Sequence, residues 1–240
     1  MEGPRVQLLA TCLVDGLAPE VGRATLAVLE GQGCDVMYPA DQTCCGQPAF
    51  NVGLNKEARR MAMHTLDVLD ATEGPVVVPS GSCAQMIVHH YPELFAGTDR
   101  EAQANRVAAR TRELTQFLVD DLDATVAVDC GGCVVAYHHS CHGLRGLGLG
   151  AQADRLLEGV DRVDLEGAEE CCGFGGLFSV EMAAVSAAIM DEKLNRVEAS
   201  GADTLVGGDV SCLLHLEGGL RRRGSDIKVR HIAELLAGAR

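Results

Sequence analysis

The chain has 240 residues, a formal net charge of −14, 47% hydrophobic residues, 3% aromatics and no Trp. That acidity argues against nucleic-acid binding and against anionic membrane surfaces, and the sequence has no run of about 18 apolar residues to span a bilayer. The apolar fraction suffices for a buried core, necessarily aliphatic and Ala-rich, and the length suits one large domain or two of roughly 110–120 residues.

The opening MEGPRVQLLATCLV holds a short apolar run behind an acidic residue. It reads as a strand ending on Cys12, not as a secretory leader, so the expected location is cytoplasmic. There thiols stay reduced, and 11 cysteines point to metal or redox chemistry instead of a disulfide framework. PEVGRATLAVLEGQG predicts a helix, with Pro19 near its start and Gly31 and Gly33 at its end. Cys34 falls in the strand pattern GCDVMYP and reads as a buried structural cysteine. TCCGQPAF then places Cys44 beside Cys45, followed by Gly46. Adjacent cysteines do not readily bridge each other, so something outside the pair must hold the sulfurs. EARRMAMHTLDVLDA predicts a second helix, and PVVVPSGSC a short strand and polar turn ending on Cys83.

Beyond a junction near residues 120–132, DCGGC carries Cys130 and Cys133, a spacing that suits a redox pair or half of a zinc knuckle. VVAYHHSC is a strand ending on Cys141, and ECCGFGGLF repeats the adjacent pair as Cys171 and Cys172 before Gly173. EMAAVSAAIMDEKLNRVEASG predicts a helix closing at Gly201, and TLVGGDVSC a strand and turn ending on Cys212. The basic run Arg221–Arg223 reads as a solvated helix end.

The two halves share their cysteine spacing. Cys12 precedes Cys44 by 31 intervening residues and Cys141 precedes Cys171 by 29; Cys45 to Cys83 and Cys172 to Cys212 enclose 37 and 39. This is an internal duplication. Strands alternating with helices imply an α/β fold. The expected architecture is two tandem homologous units, 1–125 and 132–240, with mostly parallel sheets related by a pseudo-two-fold axis. In such sheets, sites form beyond the carboxyl ends of the strands. Helices starting near Cys83 and Cys212 would aim their N-termini there and favour thiolates.

Each half thus offers four thiolates: Cys12, Cys44, Cys45 and Cys83, then Cys141, Cys171, Cys172 and Cys212. Four sulfurs suit an iron–sulfur cluster or structural zinc. Neither set contains the Cys-x2–4-Cys knuckle usual for zinc, and adjacent cysteines are able to ligate different irons of one polynuclear cluster. His142, next to Cys141, and His215, three residues past Cys212, are candidates to hydrogen-bond the sulfurs. His138 and His139 read more simply as strand-end packing. No dinucleotide fingerprint is present, and no catalytic residue is assigned.

The duplicated pattern resembles the cysteine-rich CCG domains of heterodisulfide reductase and of the glycolate oxidase iron–sulfur subunit. It is most similar to the lactate utilisation protein A family, whose TCLVD, CCGQPA, PSGSC, SCH, CCGFGG-FSV and HIAE segments occur here in the same order, from about Val6 to Ala237. The resemblance implies an iron–sulfur component of a three-protein system oxidising L-lactate to pyruvate. It also implies one [4Fe–4S]-type cluster per half, with zinc as an occupant of one half in some relatives. The implied partners are a ferredoxin-like iron–sulfur protein and a smaller third subunit. In the CCG-bearing chain of heterodisulfide reductase the last cysteine of each set belongs to a Cys-x-x-Cys pair. Here Ser80 and Asp209 replace the first member, leaving four ligands per half and putting the non-cubane, disulfide-cleaving cluster in doubt. Two other functions compete: a zinc-stabilised scaffold or assembly subunit, and a thiol–disulfide enzyme of the heterodisulfide reductase kind working through Cys130 and Cys133.

Overall fold

The computed structural model describes residues 3–128 and 130–238. The chain divides after Ala124 into two compact units, each a small parallel sheet whose strands alternate with helices.

The first unit has β1 (Arg5–Leu8), β2 (Asp35–Met37), β3 (Val76–Val78) and β4 (Thr111–Glu113) in the order β2-β1-β3-β4. All neighbours are parallel, with Val6 opposite Val36 and Val77 opposite both Leu8 and Arg112. Val76, Val77 and Val78 are all fully buried, as a strand covered on both faces requires. The second unit has β5 (Val135–His138), β6 (Thr204–Gly207) and β7 (Lys228–His231), again parallel, in the order β5-β6-β7. A parallel bridge from Val135 to Arg162 stands where the first unit has β2. The strand orders of the two units therefore correspond.

The edge strands β4 and β7 are not legible as strands in the sequence, because Arg112, Lys228 and Arg230 interrupt the apolar run that marks one. Each feeds a capped helix. The Glu113 carboxylate accepts from Thr115 N at 2.7 Å. His231 Nδ1 accepts from Ala233 N at 3.1 Å, while Glu234 accepts from His231 N at 2.7 Å. The HIAE segment is thus a helix cap of the reciprocal type.

The long helices pack through matching stripes. Asn55–Asp70 buries Ala58, Ala62, Thr65, Leu66 and Leu69; Ala183–Ala199 buries Ser186, Met190, Lys193, Leu194 and Val197 at the same spacing. Full burial of Leu66 and Leu69 contributes roughly 1.5–3 kcal/mol each. Arg221–Arg223 end the helix Val210–Arg223, as expected. Arg223 is not merely solvated, however: it pairs with Asp191 at 2.9 Å and Glu198 at 2.7 Å, tying two helices together. Cys130 and Cys133, in the coil before β5, form a disulfide, a correction to the expectation of wholly reduced thiols. No described helix is long and apolar enough to cross a membrane.

Candidate metal centres

In the first unit three parallel strands deliver the thiols to the carboxyl end of the sheet. Cys12 opens the helix Cys12–Leu17 just past β1, and Cys44 and Cys45 lie on the loop that follows β2. Cys83 sits in the first turn of Gly81–Gln85, just past β3, where Ser80 caps the helix by accepting from Cys83 N at 3.5 Å. Thr11 holds φ 72°, a left-handed conformation that costs a β-branched residue of order 1–3 kcal/mol. It turns the chain so that the helix starts at Cys12. Gln42 joins β1 to the double-cysteine loop, accepting from Ala10 N at 2.7 Å and donating to Leu8 O at 3.1 Å. Gly46 has φ +87°, and a Cβ there would stand 3.0 Å from Ala58 O, so the loop presses directly on a helix backbone. Tyr91 Oη donates to Cys45 O at 2.8 Å, and Gln47 Nε2 donates to Ser82 O at 3.2 Å.

The result is a continuous line of four thiols. Cys45 Sγ donates to Cys83 Sγ at 3.4 Å, and Cys44 is hydrogen-bonded by Cys12 and then by Cys45. Those two bonds, helped by the Gly46 amide, push the Cys44 pKa down to about 3. The same bonds, with burial, raise Cys12 and Cys45. One thiolate is thus favoured between two protonated neighbours.

The second unit repeats the arrangement. Cys141 follows β5, and Cys212 lies in the first turn of Val210–Arg223, capped by Asp209, whose Oδ1 accepts from Ser211 N at 3.1 Å. Cys172 Sγ donates to Cys212 Sγ at 3.0 Å. Cys171 is hydrogen-bonded by Cys141 and by Cys172, which bring its pKa down to about 2; the Gly173 amide donates to it at 3.3 Å. Cys141 and Cys172 are raised by their bonds to Cys171 and by burial. Gly173 has φ +91°, and a Cβ would stand 2.6 Å from Ser186 O. The buried Lys193 ammonium donates to Gly167 O and to Ala168 O, holding the segment before Cys171. In both units one end of the line is buried: Cys45, Cys83, Cys172 and Cys212 are buried, whereas Cys12 and Cys171 are exposed and Cys44 and Cys141 half-buried.

Of the histidines, His142 and His138 come to the sulfurs, and His215 comes to the loop beside them. His142 Nδ1 lies 3.6 Å from the Sγ of its neighbour Cys141. His215 contacts Ser186 Oγ at 3.4 Å and its ring stands 5.8 Å from that of Phe174, beside the double-cysteine loop. His138, read from sequence as packing, is 1% exposed, and neither ring nitrogen has a hydrogen-bond partner. A ring nitrogen of His138, Cys172 Sγ and Cys212 Sγ all lie within 4.8 Å of one another. Burial and then the Lys193 charge push its pKa down to about 3, so the ring is neutral, the form that ligates metals. Strand alternation carried a signal for this: buried Ala136 and His138 share one face of β5, and Tyr137 and His139, with rings 4.8 Å apart, share the other. Cys34 is buried at the start of β2, a structural cysteine as expected, and burial raises its thiol.

Fold and site together define a duplicated cysteine-rich α/β protein, with a thiol set of the kind that suits metal or cluster binding at the carboxyl end of the sheet in each unit. The cysteine-rich CCG domain matches residues 6–88 and again 135–217. Lactate utilization protein A of Geobacillus kaustophilus (strain HTA426) is 47% identical over 239 residues, covering 97% of this chain and 98% of the relative. Its counterpart from Exiguobacterium sp. (strain ATCC BAA-1283 / AT1b) is 44% identical, covering 97% of each. This chain belongs to the CCG cysteine-rich family and, within it, to the lactate utilization protein A family. Among solved structures, a hypothetical protein from Helicobacter pylori aligns at TM-score 0.71 and 12% identity, over 99% of this chain and 49% of that one. That likeness shows the fold alone; this chain spans about half of the Helicobacter protein.

Proposed function

We propose that each unit, 1–125 and 132–240, holds one cluster of the [4Fe–4S] type. Cys12, Cys44, Cys45 and Cys83 are the ligands in the first, and Cys141, Cys171, Cys172 and Cys212 in the second. The observation that carries this reading is the unbroken thiol-to-thiol line in each unit, assembled from residues far apart in sequence. Four sulfurs, including an adjacent pair, match the donor chemistry of such a cluster. A bound cluster supplies one-electron transfer. The protein's own part is to hold the sulfurs, keep water from the inner pair and give up thiol protons on binding, so uptake is favoured by rising pH.

With relatives named lactate utilization protein A, the chain is read as the iron–sulfur subunit of a cytoplasmic, multi-protein system oxidising L-lactate to pyruvate. It works with a ferredoxin-like iron–sulfur protein and a smaller subunit. Its net charge of −14 suits encounter with a basic patch on a partner. Anaerobic purification followed by iron and sulfide analysis tests the clusters, and lactate oxidation by the reconstituted subunits tests the role. A colourless, iron-free protein, or full activity of the chain alone, contradicts the reading. A zinc ion in the second unit is the other reading, favoured by the grouping of His138 with Cys172 and Cys212; zinc analysis decides between them.

A further inference from the structure

The thiol sets correspond, but the residue three places before the first cysteine does not: Leu9 in the first unit, His138 in the second. Both are buried, at 1% exposure each. Leu9 shows that this place in the fold is filled well by an aliphatic side chain. A histidine there with two unpartnered ring nitrogens carries a desolvation cost that packing does not explain. The ring does have a direction: it meets the buried end of the thiol line, with a nitrogen and the sulfurs of Cys172 and Cys212 mutually within 4.8 Å. Metal–sulfur bonds of about 2.3 Å and metal–nitrogen bonds of about 2.0–2.1 Å place donor atoms roughly 3.5–4 Å apart around one ion. The group is within about an ångström of that arrangement before any ion draws it in.

We infer that His138 is a nitrogen ligand of the metal centre in the second unit, so that the two centres of this chain differ in their donors: sulfur alone in the first, sulfur plus imidazole in the second. The inference rests on the reading that the second thiol set holds a metal. Around a zinc, His138 would share one ion with Cys172 and Cys212; in a [4Fe–4S] cluster, where each iron takes one protein ligand, it would replace one of the four sulfurs. Replacing thiolate with neutral imidazole raises the potential of an iron–sulfur centre, so a cluster in the second unit would be reduced more readily than one in the first.

The test uses the full chain in a Cys83→Ser background, which disables the first set, with and without His138→Leu. The leucine variant copies the first unit, and circular dichroism checks its fold; His138→Gln serves if it fails to fold. Metal-free protein is titrated with cobalt(II), a spectroscopic stand-in for a thiolate-bound ion. The expected result is a thiolate–cobalt spectrum whose visible bands shift in the variant, with affinity at least about 10-fold weaker, the scale seen when even an outer partner of a metal site is lost. An unchanged spectrum and affinity would overturn the assignment, as would no cobalt binding at all. In the iron-loaded, reduced Cys83→Ser chain labelled with ¹⁵N-histidine, pulsed electron paramagnetic resonance should show strong ¹⁵N coupling that His138→Leu removes and His139→Leu keeps. An assembled cluster without that coupling refutes the ligand while leaving the cluster reading intact. A chain that takes up cobalt in a His138-dependent way but assembles no iron and sulfide refutes the cluster and keeps the ligand.

Discussion

Aligned on their cysteines, the two units keep the same sulfurs, the same glycine after the adjacent pair and the same strand order, yet they line these features differently. Where the first unit has Leu9, Thr65, Ser80 and Met86, the second has His138, Lys193, Asp209 and His215. Thr65 and Lys193 occupy the same place in the buried stripe of their helices, yet they fasten different parts of the chain: Thr65 donates to Cys44 O at 3.4 Å, Lys193 to the carbonyls of Gly167 and Ala168. Ser80 and Asp209 both cap the helix that presents the last cysteine. The difference teaches that a duplicated scaffold keeps the arrangement of its thiols while changing their electrostatic surroundings, the lever that would set the potential of a centre bound there.

The sharpest way to break this comparison is to remove one sulfur at a time. On the proposed reading of one separate metal site per unit, Cys45→Ser and Cys172→Ser should each lower bound metal by about half, and each should abolish lactate oxidation by the reconstituted system. Loss of all metal from either variant would show that the sets are not independent. Next come the two glycines. Both have positive φ, but the space at Gly173 is tighter, 2.6 Å against 3.0 Å at Gly46. Gly173→Ala should therefore cost more stability than Gly46→Ala, each of order 1–3 kcal/mol, read by chemical denaturation of the metal-free protein. Equal costs would mean that the second loop relaxes as easily as the first.

Lys193→Met keeps the stem of a buried side chain and removes its ammonium from two carbonyls. The expected loss is about 1–3 kcal/mol, with faster hydrogen exchange at residues 167–172; unchanged exchange there would rule out the tethering role. The smallest effect belongs to Tyr91→Phe, which removes one buried bond to Cys45 O and should cost about 0.5–1.5 kcal/mol. Because the second unit has Leu220 eight residues past its last cysteine, where the first has Tyr91, the loss should appear only in the first unit's melting.

The sequence by itself determined the duplication, the alternation of strands and helices, and the grouping of cysteines into two sets of four. Those features depend on local spacing and on the apolar runs Val76–Val78 and Thr204–Gly207, whose burial any parallel sheet demands. Only the tertiary structure decided that His138 faces the sulfurs too. Adjacency in the chain already brings His142 to Cys141; strand alternation turns His138 into the interior, and whether an interior place holds thiols or hydrocarbon is set by what packs over it. The same holds for Lys193: a lysine on an amphipathic helix reads as solvated until the segment ahead of Cys171 covers it and offers its carbonyls. Short strands such as β4 and β7 likewise exist because a neighbouring strand supplies their hydrogen bonds, a pairing between distant residues that no local pattern encodes.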